Sequence, residues 1–381
     1  MVNTPLQDAI SAQGAGGARP AQLNEYRGAA TATRFADPRE EFSALLNGCG
    51  IYDLGFRARV SLTGDARVRW LNGMVTNNVR DLAVGQGVYA FLLNAQGRIL
   101  ADMYVYNRGE TLVVETDHSQ VEKIIATFDH FIIMDDVEVA NISEKETALG
   151  LAGPRSREVL KAAGIAVPEM QPLQVATPQC ECDCKCVECT VIRGENASQE
   201  SYEIWLQPKD VYQTWQALIA AGATPVGSEA LEMHRIAAGI PLYGVDIRER
   251  DLPQETEQMR ALNFNKGCYV GQEIVERIRS RGNVHRTFTG FLMEGAAEIP
   301  AGTKITSGDK DKDDKEVGEV TSVAIFGTGP EQRTVALGYI RREAGAPGRE
   351  VMIGNAQASV TQLPVDSGAL RHADDAVLHK G

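Results

Sequence analysis

The chain has 381 residues, 43% apolar and 23% charged, the balance of a globular protein long enough for two or three packed units. With 38 Lys and Arg against 51 Asp and Glu its net charge is −13, a field that repels nucleic acid and anionic membrane. No apolar run approaches the roughly 18 residues of a membrane span. Met1-Val2-Asn3-Thr4-Pro5 has neither the charged nor the apolar region of a signal peptide, and seven cysteines do not read as a secreted disulfide framework. The expectation is a reducing cytoplasm.

Ala12 to Ala21 is rich in Gly and Ala and reads as a loop or loosely docked arm, so residues 1–40 are set apart. A helix is predicted from Pro38 to Leu46, stopped by Asn47-Gly48. Gly50 to Leu54 and Ala58 to Leu62 follow, the second alternating as a strand does. Thr63-Gly64-Asp65 turns into a helix over Ala66 to Met74. Val88 to Leu93 and Leu100 to Tyr106 form a strand pair, Thr111 to Glu115 another strand, and Ser119 to Phe131 a helix. Strands mixed with helices in this order predict an α+β unit with a mostly antiparallel sheet. A second such unit runs from Ala148, with Leu149 to Pro154 echoing Val60 to Asp65, a helix over Ser156 to Ala163, a strand over Tyr202 to Leu206 and a helix over Val211 to Ala221.

From Thr287 the texture changes to short alternating segments: Thr289 to Met293, Val317 to Ile325, Thr334 to Ile340 and Val351 to Ile353. These predict a small β-barrel. The domain reading is therefore an arm over 1–40, two α+β subunits over 41–147 and 148–286, a barrel over 287–364 and a tail over 365–381. Asp309 to Lys315 reads as a solvated hairpin loop. There is no P-loop, no dinucleotide glycine spacing at Gly327-Thr328-Gly329 and no metal-binding histidine spacing, so no metal ligand is assigned.

Two stretches carry possible chemistry. Lys266-Gly267-Cys268-Tyr269-Val270-Gly271-Gln272-Glu273 precedes an amphipathic segment with Val270, Ile274 and Ile278 at helical spacing. A neighbouring lysine and a helix start both favour a thiolate at Cys268, while spacing alone fits a buried cysteine at a glycine turn equally well. Cys180, Cys182, Cys184 and Cys186 alternate with charges, which reads either as one face of a half-buried strand or as a metal or cluster site. The strand is favoured, because one straight strand cannot wrap four thiolates around an ion.

The octapeptide resembles the signature of the YgfZ family, folate-binding relatives of the glycine-cleavage T-protein. Tyr52-Asp53-Leu54, Leu62 to Ala66, Trp70 to Asn78, Tyr89 to Asn94 and Gly97 to Asp102 are similar to the N-terminal block that the two groups share. Arg235 to Gly244, Leu252 to Glu255, Gly318 to Ser322 and Ala336 to Ile340 continue the likeness, which covers about residues 40–355. The resemblance implies ferredoxin-like folate-binding units around a central channel, with a C-terminal barrel. It implies tetrahydrofolate, or a derivative, as cofactor, and iron–sulfur client or assembly proteins as partners. Cys268 would then be the working thiol, Lys266 its tuner, and Asp102 the acidic residue that manages the folate proton. Tyr89, Thr76, Arg235 and Lys266 would line the folate site. The Gly-Glu-x-Gly-Tyr-Glu motif of T-proteins falls on Ser198 to Glu203, so its pterin carboxylate aligns with Gln199, or with Glu200 after a slip of one. The basic residues Arg277, Arg279, Arg281, His285 and Arg286 offer either an anion site or a solvated helix face. Assembly or repair of iron–sulfur clusters is the leading expectation. A folate-dependent aminomethyltransferase is the alternative, weakened by Gln199, Ala101 and Glu115, and a non-catalytic folate or metal scaffold is a third reading.

Overall fold

Four sheets organise the described residues of the computed structural model, which are 2–12, 20, 22–178, 187–282, 284–307, 315–366 and 370. The cysteine run Cys180 to Cys186, the acidic loop 309–314 and nearly all of 13–21 lie outside them. The chain divides into two compact units. One comprises Met1–Leu92, Ala101–Leu231 and Asn265–Val270, and the other Leu93–Leu100, Glu232–Phe264 and Gly271–Gly381.

The first unit holds three sheets. One is five-stranded, in the order Gln86–Leu93, Ile99–Asn107, Leu112–Asp117, Arg57–Thr63, Glu138–Asn141. The second runs Val175–Ala176, Cys189–Arg193, Ser201–Leu206, Thr147–Ala152, Gly50–Asp53, Thr224–Pro225. Gly50–Asp53 thus leaves its sequence neighbours and pairs with Thr147–Ala152, while the strands between residues 57 and 141 build the five-stranded sheet. Local pattern predicts that a strand forms, but not which sheet it joins. The strand-to-helix echo is visible in the backbone. Gly64 and Gly153 follow corresponding strands with φ of +92° and +125°. A Cβ there would stand 2.3 Å from the Asp136 carbonyl oxygen and 2.4 Å from that of Gly48, so only glycine fits either turn.

Helix His118–Phe131 turns Val121, Ile124 and Phe128 inward at i, i+3 and i+7, the stripe a helix needs to cover a sheet. Residues 2–34 are not simply an arm. Helix Pro5–Ala12 buries Leu6 and Ile10, and a three-stranded sheet runs Val2–Asn3, Ala29–Arg34, Gln22–Tyr26. The Thr4 hydroxyl donates to the buried Asp53 carboxylate at 2.5 Å, tying this segment to the sheet.

The second unit carries a closed barrel in the order Arg286–Glu294, Arg333–Arg341, Glu316–Phe326, Lys304–Thr306, Glu350–Ile353, Ala356–Thr361. Phe291, Met293, Val320, Ile340, Val351 and Val360 fill its core. Sequence reading missed the strands Lys304–Thr306, which is too short to show alternation, and Ala356–Thr361, whose apolar positions are the small Ala356 and Ala358 before Val360. Among the described residues no helix is long and apolar enough to cross a membrane.

Candidate functional site

In a strand successive side chains alternate faces, so charged residues at every second position of neighbouring strands build a polar face. Strand Arg57–Thr63 contributes Arg57 and Arg59, which stand opposite Asp117 and Glu115. Glu115 in turn stands opposite Tyr104. Asp102, Tyr104 and Tyr106 continue the same face along strand Ile99–Asn107.

Asp102 is the focus. Its carboxylate accepts from the Tyr89 hydroxyl at 2.7 Å and from Gln120 Nε2 at 2.9 Å, while its main-chain N–H donates to Gln120 Oε1. Burial raises the carboxyl above its ordinary range and the charge of Asp117 adds to this, against the two hydrogen bonds and Arg57. The Tyr89 and Tyr104 rings lie 5.0 Å apart, and the Tyr104 hydroxyl donates to Glu195 at 2.9 Å. The second sheet supplies Glu203, whose carboxylate accepts from Trp205 Nε1 at 2.8 Å. Burial, then the charge of Glu115, pushes the Glu203 carboxyl up to about 7.

Arg57 donates to Asp117 at 2.5 Å, and Arg59, fully buried, pairs with Glu115 at 3.3 Å. The carboxylates Asp102, Glu115, Asp117 and Glu203 exceed the guanidiniums that face them, and in a low dielectric that surplus is relieved by protons. Burial favours the protonated form at both Asp102 and Glu203. The face can therefore accept parallel N–H donors from a neutral heteroaromatic ring, lie against it through tyrosine rings, and hold or release a proton at Asp102.

Other residues singled out by sequence take different places. Thr76 is fully buried, and its Oγ1 accepts from the Phe91 N–H, so it lines no channel. Gln199 sits in the turn before strand Ser201–Leu206, its N–H bonded to the Asn196 carbonyl. Glu200 accepts from the Tyr202 hydroxyl at 2.6 Å and pairs with Arg157. Tyr202 belongs to the apolar core of the opposite sheet face, so Glu200 is turned away from Glu203. Arg235 is buried and engaged by Asp246 at 2.6 Å, Glu232, Ser322 and the Ile240 carbonyl, which makes it an internal tie of the second unit.

Lys266 donates to the carbonyls of Asn72, Val75 and Asn77 at 2.5, 2.5 and 2.8 Å. Its three ammonium hydrogens are thereby used, and none is left to hydrogen-bond a thiol. Burial pushes this ammonium down toward about 7, while the three carbonyl oxygens favour its charged form. Cys268 is exposed rather than buried, and helix Gln272–Arg281 begins only at Gln272, after Gly271 at φ +79°. The tight turn is made at Gly271 rather than Gly267. Of the basic cluster, Arg277 and Arg279 pair with Glu273 and Glu276 on their own helix, and Arg286 pairs with Asp251 and Glu255. Sequence reading missed Arg57, Tyr104, Gln120, Glu195 and Glu203. The signal for the strand residues was present as charges or tyrosines at alternate positions inside buried strands.

The GCVT N-terminal domain model matches residues 6–266. The chain belongs to this family. It is 28% identical to an aminomethyltransferase of Halothermothrix orenii over 343 residues, covering 87% of this chain and 91% of that one. With an aminomethyltransferase of Rubrobacter xylanophilus it shares 28% over 357 residues, 92% and 90% of the two chains. A putative chloroplastic transferase of Arabidopsis thaliana is 26% identical over 337 residues, 87% of this chain and 74% of that one. The fold matches the crystal structure of glycine cleavage system aminomethyltransferase T from Bartonella henselae with a TM-score of 0.79, at 22% identity and over 95% and 97% of the chains. The α+β fold with a C-terminal barrel is thus that of the T-protein superfamily.

Proposed function

We propose that this chain binds tetrahydrofolate on the polar face around Asp102 and catalyses folate-dependent aminomethyl transfer. The observation that carries the reading is Asp102, raised by burial and held by Tyr89 and Gln120 within a belt of carboxylates and tyrosines. The donor set fits a reduced pterin, whose edge offers parallel N–H groups to carboxylate oxygens. Glu195, aimed by the Tyr104 hydroxyl, supplies the carboxylate missing at Gln199, and Tyr89 and Tyr104 give the ring an aromatic surface. Tetrahydrofolate supplies the nitrogens that receive a one-carbon unit. Asp102 takes or returns the proton that must move there, with Gln120 fixing its orientation. Relatives named aminomethyltransferases, matched over most of both chains, support this activity.

The test is tetrahydrofolate binding by calorimetry, together with ammonia release from an aminomethylated lipoyl carrier protein. Glu195→Gln is expected to weaken binding by about 10- to 100-fold, the value of a charge-assisted hydrogen bond. A wild-type protein that binds no tetrahydrofolate overturns the reading.

The exposed Cys268 in its octapeptide favours a second reading, a YgfZ-type role in assembly or repair of iron–sulfur clusters in the cytoplasm. Cells lacking the protein would then recover [4Fe–4S] enzyme activity with wild type but not with Cys268→Ala at equal abundance. Equal rescue by both removes the thiol from the mechanism.

A further inference from the structure

Lys266 lies 194 residues from Asn72 in the chain, yet its ammonium sits in a ring of three main-chain carbonyls there. Helix Arg67–Met74 ends at this point, and its last turn and the residues beyond leave carbonyls without helical partners. An ammonium with three tetrahedral donors suits such a cluster, and the negative end of the helix dipole favours its charge. The Tyr269 ring lies 4.9 Å from the same nitrogen, and the Val270 N–H donates to the Gly73 carbonyl. The octapeptide is thus fastened to the end of this helix on both sides of Cys268.

The residues just past the helix lead to the polar face. Thr76 exchanges hydrogen bonds with Phe91, its N–H donating to the Phe91 carbonyl and its Oγ1 accepting from the Phe91 N–H. Val75 bridges Leu92, and the Asn77 side chain donates to the Tyr89 carbonyl at 2.7 Å. Tyr89 then donates to Asp102. Two of the three carbonyls that Lys266 gathers, those of Val75 and Asn77, belong to the residues that stitch strand Gln86–Leu93 in place.

We propose that Lys266 is a positioning residue. Its ammonium gathers the Asn72, Val75 and Asn77 carbonyls and so sets the Tyr89 hydroxyl against the Asp102 carboxylate. The consequence for catalysis rests on the proposed role of Asp102 in proton transfer to folate, but the clasp itself can be measured without folate. In Lys266→Ala the Phe91 amide exchanges roughly tenfold faster, about the loss of one hydrogen bond. The Asp102 carboxyl, followed by carbon NMR in the ligand-free protein, titrates about half a unit or more higher, because a weakened Tyr89 bond no longer favours its ionised form. Methylammonium added to Lys266→Ala restores both readouts. Lys266→Arg does not, since a planar guanidinium cannot converge three donors on these carbonyls. If Lys266→Ala fails to fold, the same two readouts on Lys266→Arg decide. Unchanged Phe91 exchange and an unmoved Asp102 titration overturn the proposal. Should wild type bind no tetrahydrofolate while both readouts move, the clasp stands and the transferase reading falls.

Discussion

Glu203→Gln isolates the surplus of carboxylates on the polar face. In the folded chain burial, then Glu115, holds the Glu203 carboxyl at about 7, against 4.5 for the free group. A carboxyl raised by folding binds its proton more tightly in the native state. Its stabilising contribution is full below 4.5 and is lost as pH climbs through about 7. At about 1.36 kcal/mol per unit, the 2.5 units between those values set a ceiling of about 3 kcal/mol. Water reaching a half-buried group, and the pull of Arg57 and Arg59, reduce the effect to roughly 1–2 kcal/mol. Glutamine keeps an oxygen for Trp205 Nε1 but has no proton to lose. Urea unfolding of both proteins, followed by tryptophan fluorescence at pH 5, 6, 7 and 8, reads the difference, in which titrating groups remote from Glu203 cancel. The variant should gain on wild type by roughly 1–2 kcal/mol between pH 5 and 8. A gap that stays flat over that range means Glu203 is already ionised at pH 5, and the charge-surplus reasoning fails.

Asp102→Asn keeps one acceptor oxygen, for Gln120 Nε2, and its amide nitrogen can donate to the Tyr89 hydroxyl oxygen, but it cannot take a proton. It should lower aminomethyl transfer by about 10²- to 10⁴-fold in a steady-state assay while leaving the urea midpoint nearly in place. Arg235→Ala strands the buried Asp246 carboxylate and should cost about 3–5 kcal/mol in denaturant unfolding. Tetrahydrofolate affinity of its folded fraction should match wild type, which separates a structural tie from a ligand contact.

The sequence by itself carried the architecture of local elements and the likeness to the T-protein superfamily. Periodicity suffices for helix His118–Phe131 and for the longer barrel strands, because each buries one face and the pattern of that face is written in consecutive residues. Ordered motifs such as Tyr89 to Asn94 and Gly97 to Asp102 carried the likeness to T-proteins. What only the tertiary structure decided were partnerships between residues far apart in the chain. Gly50–Asp53 joins the sheet of Thr147–Ala152, since strand pairing is set by long-range packing rather than by the strand's own residues. Glu195, two residues past strand Cys189–Arg193, looks in sequence like any loop carboxylate until Tyr104 is brought to it from 91 residues away. Lys266 read as a tuner of its neighbour Cys268 because the two are close in sequence. An ammonium on a four-carbon stem goes instead to the main-chain carbonyls of Asn72, Val75 and Asn77, at and just past a helix end that no local pattern connects to it.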